Sequence, residues 1–319
     1  MINFDIVGKR KISFTISLIV LLAGIIGFII NGIQLDIQFQ GGTIIQIQMP
    51  DEDFNSDEIQ TVISEALGKN IVANKLETIT AKEDEDKVNM LTLKVSKADT
   101  LTTEELNKVI DILHEKYNVE TDAEMNVQNV QPFIGAELLG NGVKAAILAS
   151  ILIVLYVWKR FSVMSGLSSA VIAVLALVHD AFVMFTVYIL FRIPVNESFI
   201  AAILTILGYS INATIIIYDR IRENTGLMRK ASLKELVNTS INQTFARSIN
   251  TTITTFIAVV CVYIFAAINN IQSLTDFTFP LIIGLISGTF SSLCLVGPVW
   301  VMWEERKKGK KLSSKTAKV

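Results

Sequence analysis

Charge is what this 319-residue chain has least of: 18% of its residues are Asp, Glu, Lys or Arg, where a soluble domain carries about a quarter. The shortage excludes an ordinary water-soluble protein, and the hydrophobic content excludes disorder and collagen. Cysteine occurs twice, at Cys261 and Cys294, both inside apolar runs. The polar part of the chain therefore has no disulfide and must rely on an apolar core. Walker loop, dinucleotide fingerprint, metal-ligand spacing and nucleophile elbow are all missing, so nothing points to an ATPase or hydrolase. The sequence reads as a non-enzyme with no cofactor, no metal and no nucleic-acid partner.

What is present is hydrophobicity, 51% of residues with a mean hydropathy of +0.51. A bilayer core of about 30 Å needs about 20 mostly apolar helical residues. Ser13 to Ile30 meets this without a charge, behind Lys9, Arg10 and Lys11. A cleavable signal peptide is the competing reading; the length of the run and the flank Asn31-Gly32-Ile33-Gln34, which has no small-x-small site, weigh against it. Further spans read Ala145 to Trp158, Val163 to Phe191, Phe199 to Tyr218, Thr251 to Ile268 and Phe277 to Met302. Six spans result, one alone and then five, with Pro280 and Pro298 as sources of a kink in the last.

The acids occupy the gap after the first span. Between Gly32 and Gly140 stand 21 acids against 8 lysines, a charge of −13, so the rest of the chain carries +11. Seventeen bases fall on one side of the six spans, at Lys9 to Lys11, Lys159 and Arg160, Arg220 to Lys234, and the basic tail from Arg306 onward. Retention of Lys and Arg in the cytoplasm predicts cytoplasmic termini and an extracytoplasmic segment 32–140. The expected divisions are 1–31, 32–140, 141–303 and a tail 304–319.

Within 32–140 the periodicities predict a strand through Ile44, Ile45, Ile47 and Met49, and a helix over Ser56 to Leu67 with Ser56 as N-cap. Strands over Ile71 to Thr80 and Lys87 to Val95 flank the acidic turn Glu83 to Asp86; a helix over Thr102 to Lys116 and a strand over Met125 to Val130 follow. That order is the ferredoxin-like split βαβ arrangement. His114 is expected on the solvated face of the second helix.

Polar groups inside a span are expensive and need a reason. His179-Asp180 interrupts the third run. It is either a proton-carrying pair or a helix-packing hydrogen bond near the outer interface. Gly208-Tyr209-Ser210-Ile211-Asn212-Ala213-Thr214 reads as close packing with cross-helix hydrogen bonds, and the span ends in charges from Asp219. Asn242 to Thr255 is an entrance of amides and hydroxyls that should face a helix or water, and its Arg247 either snorkels or pairs with an acid such as Asp219. Gly284 and Gly288 make a small-xxx-small packing pattern.

These strings resemble the SecD/SecF family of protein-export membrane subunits, on the SecF side. Gln38-Phe39-Gln40-Gly41-Gly42-Thr43 is similar to its D-F-x-G-G-T box, Leu177-Val178-His179-Asp180 to its L-x-H-D box, and Gly208 to Asn224 to its G-Y-S-I-N signature. Thr244 to Ser248, Thr251 to Thr255 and Gly288 to Ser292 resemble it as well. The resemblance implies half of an RND-type transporter, a polytopic six-helix membrane protein with an extracytoplasmic ferredoxin-like α+β domain. It also implies a role beside the Sec translocon: pairing with SecD, contact with SecYEG and often YidC and YajC, and promotion of polypeptide export by the proton-motive force. Gln38 and Ala213 stand where the family commonly has acids. The implied proton-relay or gating candidates are therefore Arg247, Asp180, His179, Asn212 and Asp219, with Gly208, Ser210, Gly284 and Gly288 in packing. A scaffold without proton coupling and an RND-type lipid or drug exporter half are the competing readings.

Overall fold

The computed structural model describes residues 4–50, 54–69, 71–79, 87–96, 101–120, 123, 125–130, 132–269 and 271–316; the acidic turn 83–86 lies outside them. Its elements are α1 (Arg10–Asn31), α2 (Ile37–Gln40), β1 (Gly42–Gln48), α3 (Ser56–Leu67), β2 (Ile71–Ile79), β3 (Lys87–Ser96), α4 (Thr103–Tyr117), β4 (Met125–Val130), α5 (Pro132–Arg160), α6 (Gly166–Phe191), α7 (Glu197–Leu227), α8 (Leu233–Ile268), α9 (Gln272–Ser291) and α10 (Gly297–Thr316). A π-helical turn, Ser292–Val296, joins the last two.

The four strands form an antiparallel sheet in the order β2-β3-β1-β4, the arrangement that strand, helix, strand, strand, helix, strand was expected to give. Alternation sorts its faces. Ile45, Ile47, Ala73, Leu91 and Leu93 pack with Ile59, Ile63, Val109 and Leu113 of α3 and α4 in one buried cluster. Each such side chain taken from water contributes roughly 1.5–3 kcal/mol. The cap of α3 is Asn55 rather than Ser56: its side chain accepts from the amides of Asp57 and Glu58, and Asn is as good a cap as Ser. His114 is half-buried, not solvated, with Nδ1 against the Val119 carbonyl beyond the end of α4.

The turn from membrane to sheet explains the Gly41-Gly42 pair. Asp36 caps the short α2, which the sequence reading did not anticipate, by accepting from the Gln38 amide. Gly41 and Gly42 then have φ of 79° and 152°, and a Cβ on Gly42 would lie 2.2 Å from the Val95 carbonyl oxygen. Only glycine meets both demands.

Six helical segments are long and apolar enough to cross a membrane: Arg10–Asn31, Glu137–Arg160, Gly166–Phe191, Glu197–Leu227, Leu233–Ile268 and Gln272–Lys307. The chain is a multi-pass membrane protein. Five of these segments are longer than the apolar runs alone suggest, because polar turns at their ends stay helical. The 36-residue α8 carries the amide-rich entrance and the apolar span as one rod. The last segment passes Pro280 within α9, and its hydrogen-bonding register changes at Ser292–Val296, before Gly297-Pro298. A proline cannot supply the amide that the preceding turn would use, and a wide turn relieves its ring.

α1 lies against α6 through Gly24 and Gly27. A Cβ on Gly24 would be 2.2 Å from Thr186 Oγ1, and one on Gly27 3.0 Å from a Leu190 methyl. The link after α1 is tied to the link before α7 by Asp36 N–H to Val195 O and Val195 N–H to Gln34 O, which fixes the sheet over that end of the bundle.

Candidate functional site

α6 has 26 residues, about 39 Å at 1.5 Å each. Asp180 is its fifteenth, so it sits near mid-depth rather than at an interface, and it is fully buried. An uncompensated carboxylate there would be very costly. Three hydroxyls from two other helices converge on it. Oδ2 accepts from Ser210 at 2.7 Å and Ser291 at 2.8 Å, and Oδ1 accepts from Ser287 at 2.7 Å. His179 Nδ1 lies 3.2 Å from Oδ1. Both carboxyl oxygens are thus doubly engaged.

Small residues make the convergence geometrically possible. A Cβ on Gly284 would be 2.4 Å from Ile206, and one on Gly288 3.0 Å from Ser210 Cβ, so α9 lies directly on α7 through this pair. Ser287 and Ser291, four residues apart, share the α9 face that meets Asp180. The polar layer continues through Thr214 and Ser292, whose hydroxyls are 3.0 Å apart, and Ser292 Oγ donates to the Ser210 carbonyl at 3.3 Å. Ser292 also begins the π-helical turn, and such turns often mark functional sites.

His179 has the complementary feature. Its Nε2 is buried and has no hydrogen-bond partner among the described residues, and its ring centroid is 6.4 Å from that of Phe290. A buried ring nitrogen without a partner is rare and asks for a proton, a water or a partner group.

The other candidates fall elsewhere. Asp219 is not paired with Arg247: it forms ion pairs with Arg160 at 2.9 Å and Arg222 at 3.1 Å, at the end of the bundle remote from the sheet. Arg247 is exposed on α8, 21 residues before its end, about 32 Å. Its guanidinium therefore lies one bilayer thickness from the sheet-side end, where snorkelling is geometrically available. Asn212 is exposed on α7, and so is Gly208, where an added Cβ would meet nothing within 4 Å. Gly208 is thus not an interhelical contact within this chain: it points away from the face that carries Ser210. Sequence reading missed Ser287 and Ser291. Their signal was available, since they flank the glycine of the packing pattern on the side where a buried acid needs donors.

Comparison with known proteins agrees with this architecture. The family described as "Protein export membrane protein SecD/SecF, C-terminal" matches residues 110–306, more than half of the chain. The chain is similar to the protein translocase subunit SecF of Alicyclobacillus acidocaldarius, 33% identical over 95% of this chain and 94% of that one. It is similar to the SecF of Petrotoga mobilis, 31% identical over 98% and 100%. The protein translocase subunit SecDF of Bacillus subtilis is 35% identical over 95% of this chain, which spans only 38% of that longer protein. Among solved structures, the crystal structure of SecDF from Thermus thermophilus, a translocon-associated membrane protein, superposes with a TM-score of 0.76 at 27% identity. It covers 95% of this chain and 39% of that one. The match over more than half of the chain, and relatives above 30% identity along nearly all of it, place this chain in the SecD/SecF family of protein export membrane proteins.

Proposed function

We propose that this chain is a SecF-type accessory subunit of the Sec protein-export translocase, acting beside a SecD-type half and coupled to the proton-motive force through Asp180. The observation that supports proton coupling is the buried mid-depth carboxylate held by Ser210, Ser287 and Ser291. A serine hydroxyl both donates and accepts. The three donors that satisfy an ionised Asp180 can therefore rotate to receive its proton when it is neutral. Charge can change there without leaving an orphaned polar group. His179, with its unpartnered Nε2, is the adjoining station.

A SecD-type partner is supported by the faces this chain leaves uncovered. Gly208 and Asn212 on α7, and Asn250, Thr251 and Thr254 on α8, are all exposed. Polar groups at membrane depth are rarely left to lipid. A second helical half covers them, as the greater length of the SecDF relatives accommodates. The inside-positive rule assigns the Lys- and Arg-rich ends to the cytoplasm, with both termini there and residues 32–140 on the outer face. Contacts with SecYEG, YidC and YajC are expected from the family resemblance alone.

Ala213 favours a second reading, a scaffold that steadies the translocon without moving protons, because it replaces the acid common in the family signature. Membrane vesicles carrying this chain with its SecD-type partner separate the two. Late-stage client release after ATP removal should require the proton gradient, and Asp180→Asn should lose that requirement's benefit while still copurifying with the channel. Release indifferent to the gradient in the unaltered protein would leave the scaffold.

A further inference from the structure

We infer that the polar cavity between the sheet and the membrane bundle is a binding site for the main chain of an extended polypeptide in transit; the inference rests on the export reading above. The cavity measures about 410 Å³ and lies under the sheet face opposite α3 and α4. Its roof is a row of side chains set by strand register: Asn74 is opposite Thr92, and Thr92 is opposite Gln46. Gln128 of β4 lines it from the adjoining row. Its floor is made by the starts of α7 and α9, including Gln272.

Three features point to a ligand with amide chemistry. The first is unspent hydrogen-bonding capacity. Among the described residues Thr92, 7% exposed, has no partner for its Oγ1, and Gln38 Oε1, also at the cavity, is buried without one. Such atoms are costly to leave unmade. Among the described residues, Gln46, Asn74 and Gln128 also spend no side-chain amide on a hydrogen bond, and each offers two donors and one acceptor oxygen. Second, the ionic groups of the lining are largely engaged within the chain. Asp36 Oδ2 and Lys94 Nζ are 2.9 Å apart, Asp276 accepts from Asn196 at 2.7 Å and from Gln272 at 2.6 Å, and Lys75 lies over the Phe54 ring, which leaves Glu197 as an exposed acid at the floor. Third, primary amides and hydroxyls are complementary to peptide N–H and C=O groups whatever side chains follow. A site for many unrelated exported sequences needs recognition of that kind, because side-chain pockets would discriminate among them.

The test uses the complete chain with its SecD-type partner and translocon in membrane vesicles, and a defined client stalled midway through translocation. A photoactivatable benzoylphenylalanine is placed at position 46 or 74, and as a control at position 111 on α4, which is exposed on the opposite face. Light should yield adducts with the stalled client at 46 and 74 and none at 111, and chasing the client to completion should abolish them. Adducts only with the partner subunit, or none, while export stimulation persists would overturn the cavity assignment and leave the export reading intact. Loss of stimulation in the unaltered protein would instead remove the export reading, and this inference with it.

Discussion

A side chain begun at Gly288 would put its first carbon 3.0 Å from Ser210 Cβ and 3.1 Å from Ser210 Oγ. That hydroxyl is one of the three donors to Asp180. The packing pattern and the polar site are therefore one construction: the approach of α9 to α7 that the glycine permits delivers Ser287 and Ser291 to the carboxylate of α6.

Glycine replacements should separate packing positions from open ones. Gly284→Ala places a methyl 2.4 Å from Ile206 Cγ1, and overpacking of this kind costs about 1–3 kcal/mol. Gly208→Ala meets no atom within 4 Å and should gain up to about 1 kcal/mol in helix propensity. Thermal unfolding of the purified protein in detergent should fall for the first and not for the second. Equal losses at both would contradict the assignment of α9 to α7 through Gly284.

Removing the carboxyl without removing its partners should be worse than neutralising it. Asp180→Leu leaves the hydroxyls of Ser210 and Ser287 without an acceptor, while Ser291 keeps the Gly288 carbonyl, at about 1–3 kcal/mol for each group left unsatisfied. Asp180→Asn keeps an acceptor oxygen, and the hydroxyls can turn to accept from its amide. Midpoints of thermal unfolding should rank unaltered above Asn and Asn above Leu. A leucine variant as stable as the asparagine one would mean that the serines do not depend on Asp180.

The order of elements was legible because burial imposes a period. Ile45 and Ile47 alternate onto the helices, Ile59 and Ile63 recur one turn apart, and long apolar runs admit few structures. What the sequence hid depends on rotation and on partners. Gly208 and Gly284 look the same as letters, yet one faces outward and the other packs on Ile206. Ser287 and Ser291 read as ordinary small residues until α6 brings a carboxylate beside them. The start of α5 was masked by Glu137, Asn141 and Lys144, which lower local hydropathy without breaking a helix. Asp219 could have served either Arg247 or nearer bases; α5 decided this by ending in Arg160 beside it.

The ion pair over the cavity should matter more through its acid than its base. Asp36 is 6% exposed, caps α2 and pairs with Lys94. Lys94→Met leaves that carboxylate without its cation and should cost about 1–3 kcal/mol, below the range for a fully buried pair because Lys94 is half-exposed. Asp36→Asn in the Lys94→Met background restores part of the loss, since asparagine still caps. A double variant no more stable than Lys94→Met alone would remove the electrostatic account.

Acid should weaken the sheet domain through Glu105. Its carboxylate accepts from Lys69 Nζ at 2.7 Å and from the Thr102 amide at 2.8 Å, closing a capping box at the start of α4. These bonds, the lysine's first, favour the ionised form and hold the group down to about 2 from an ordinary 4.5. The depressed value fixes the sign. The contribution is complete above the ordinary value, where both folded and unfolded chains are ionised, and is lost as pH falls from there through about 2. Glu105 lies at the surface, so the effect is small and salt-sensitive. Carbon-13 titration of the Glu105 carboxyl should give a midpoint near 2 in the unaltered protein and a rise toward 4.5 in Lys69→Met. A midpoint already near 4.5 with Lys69 in place would show that the capping box does not hold the charge.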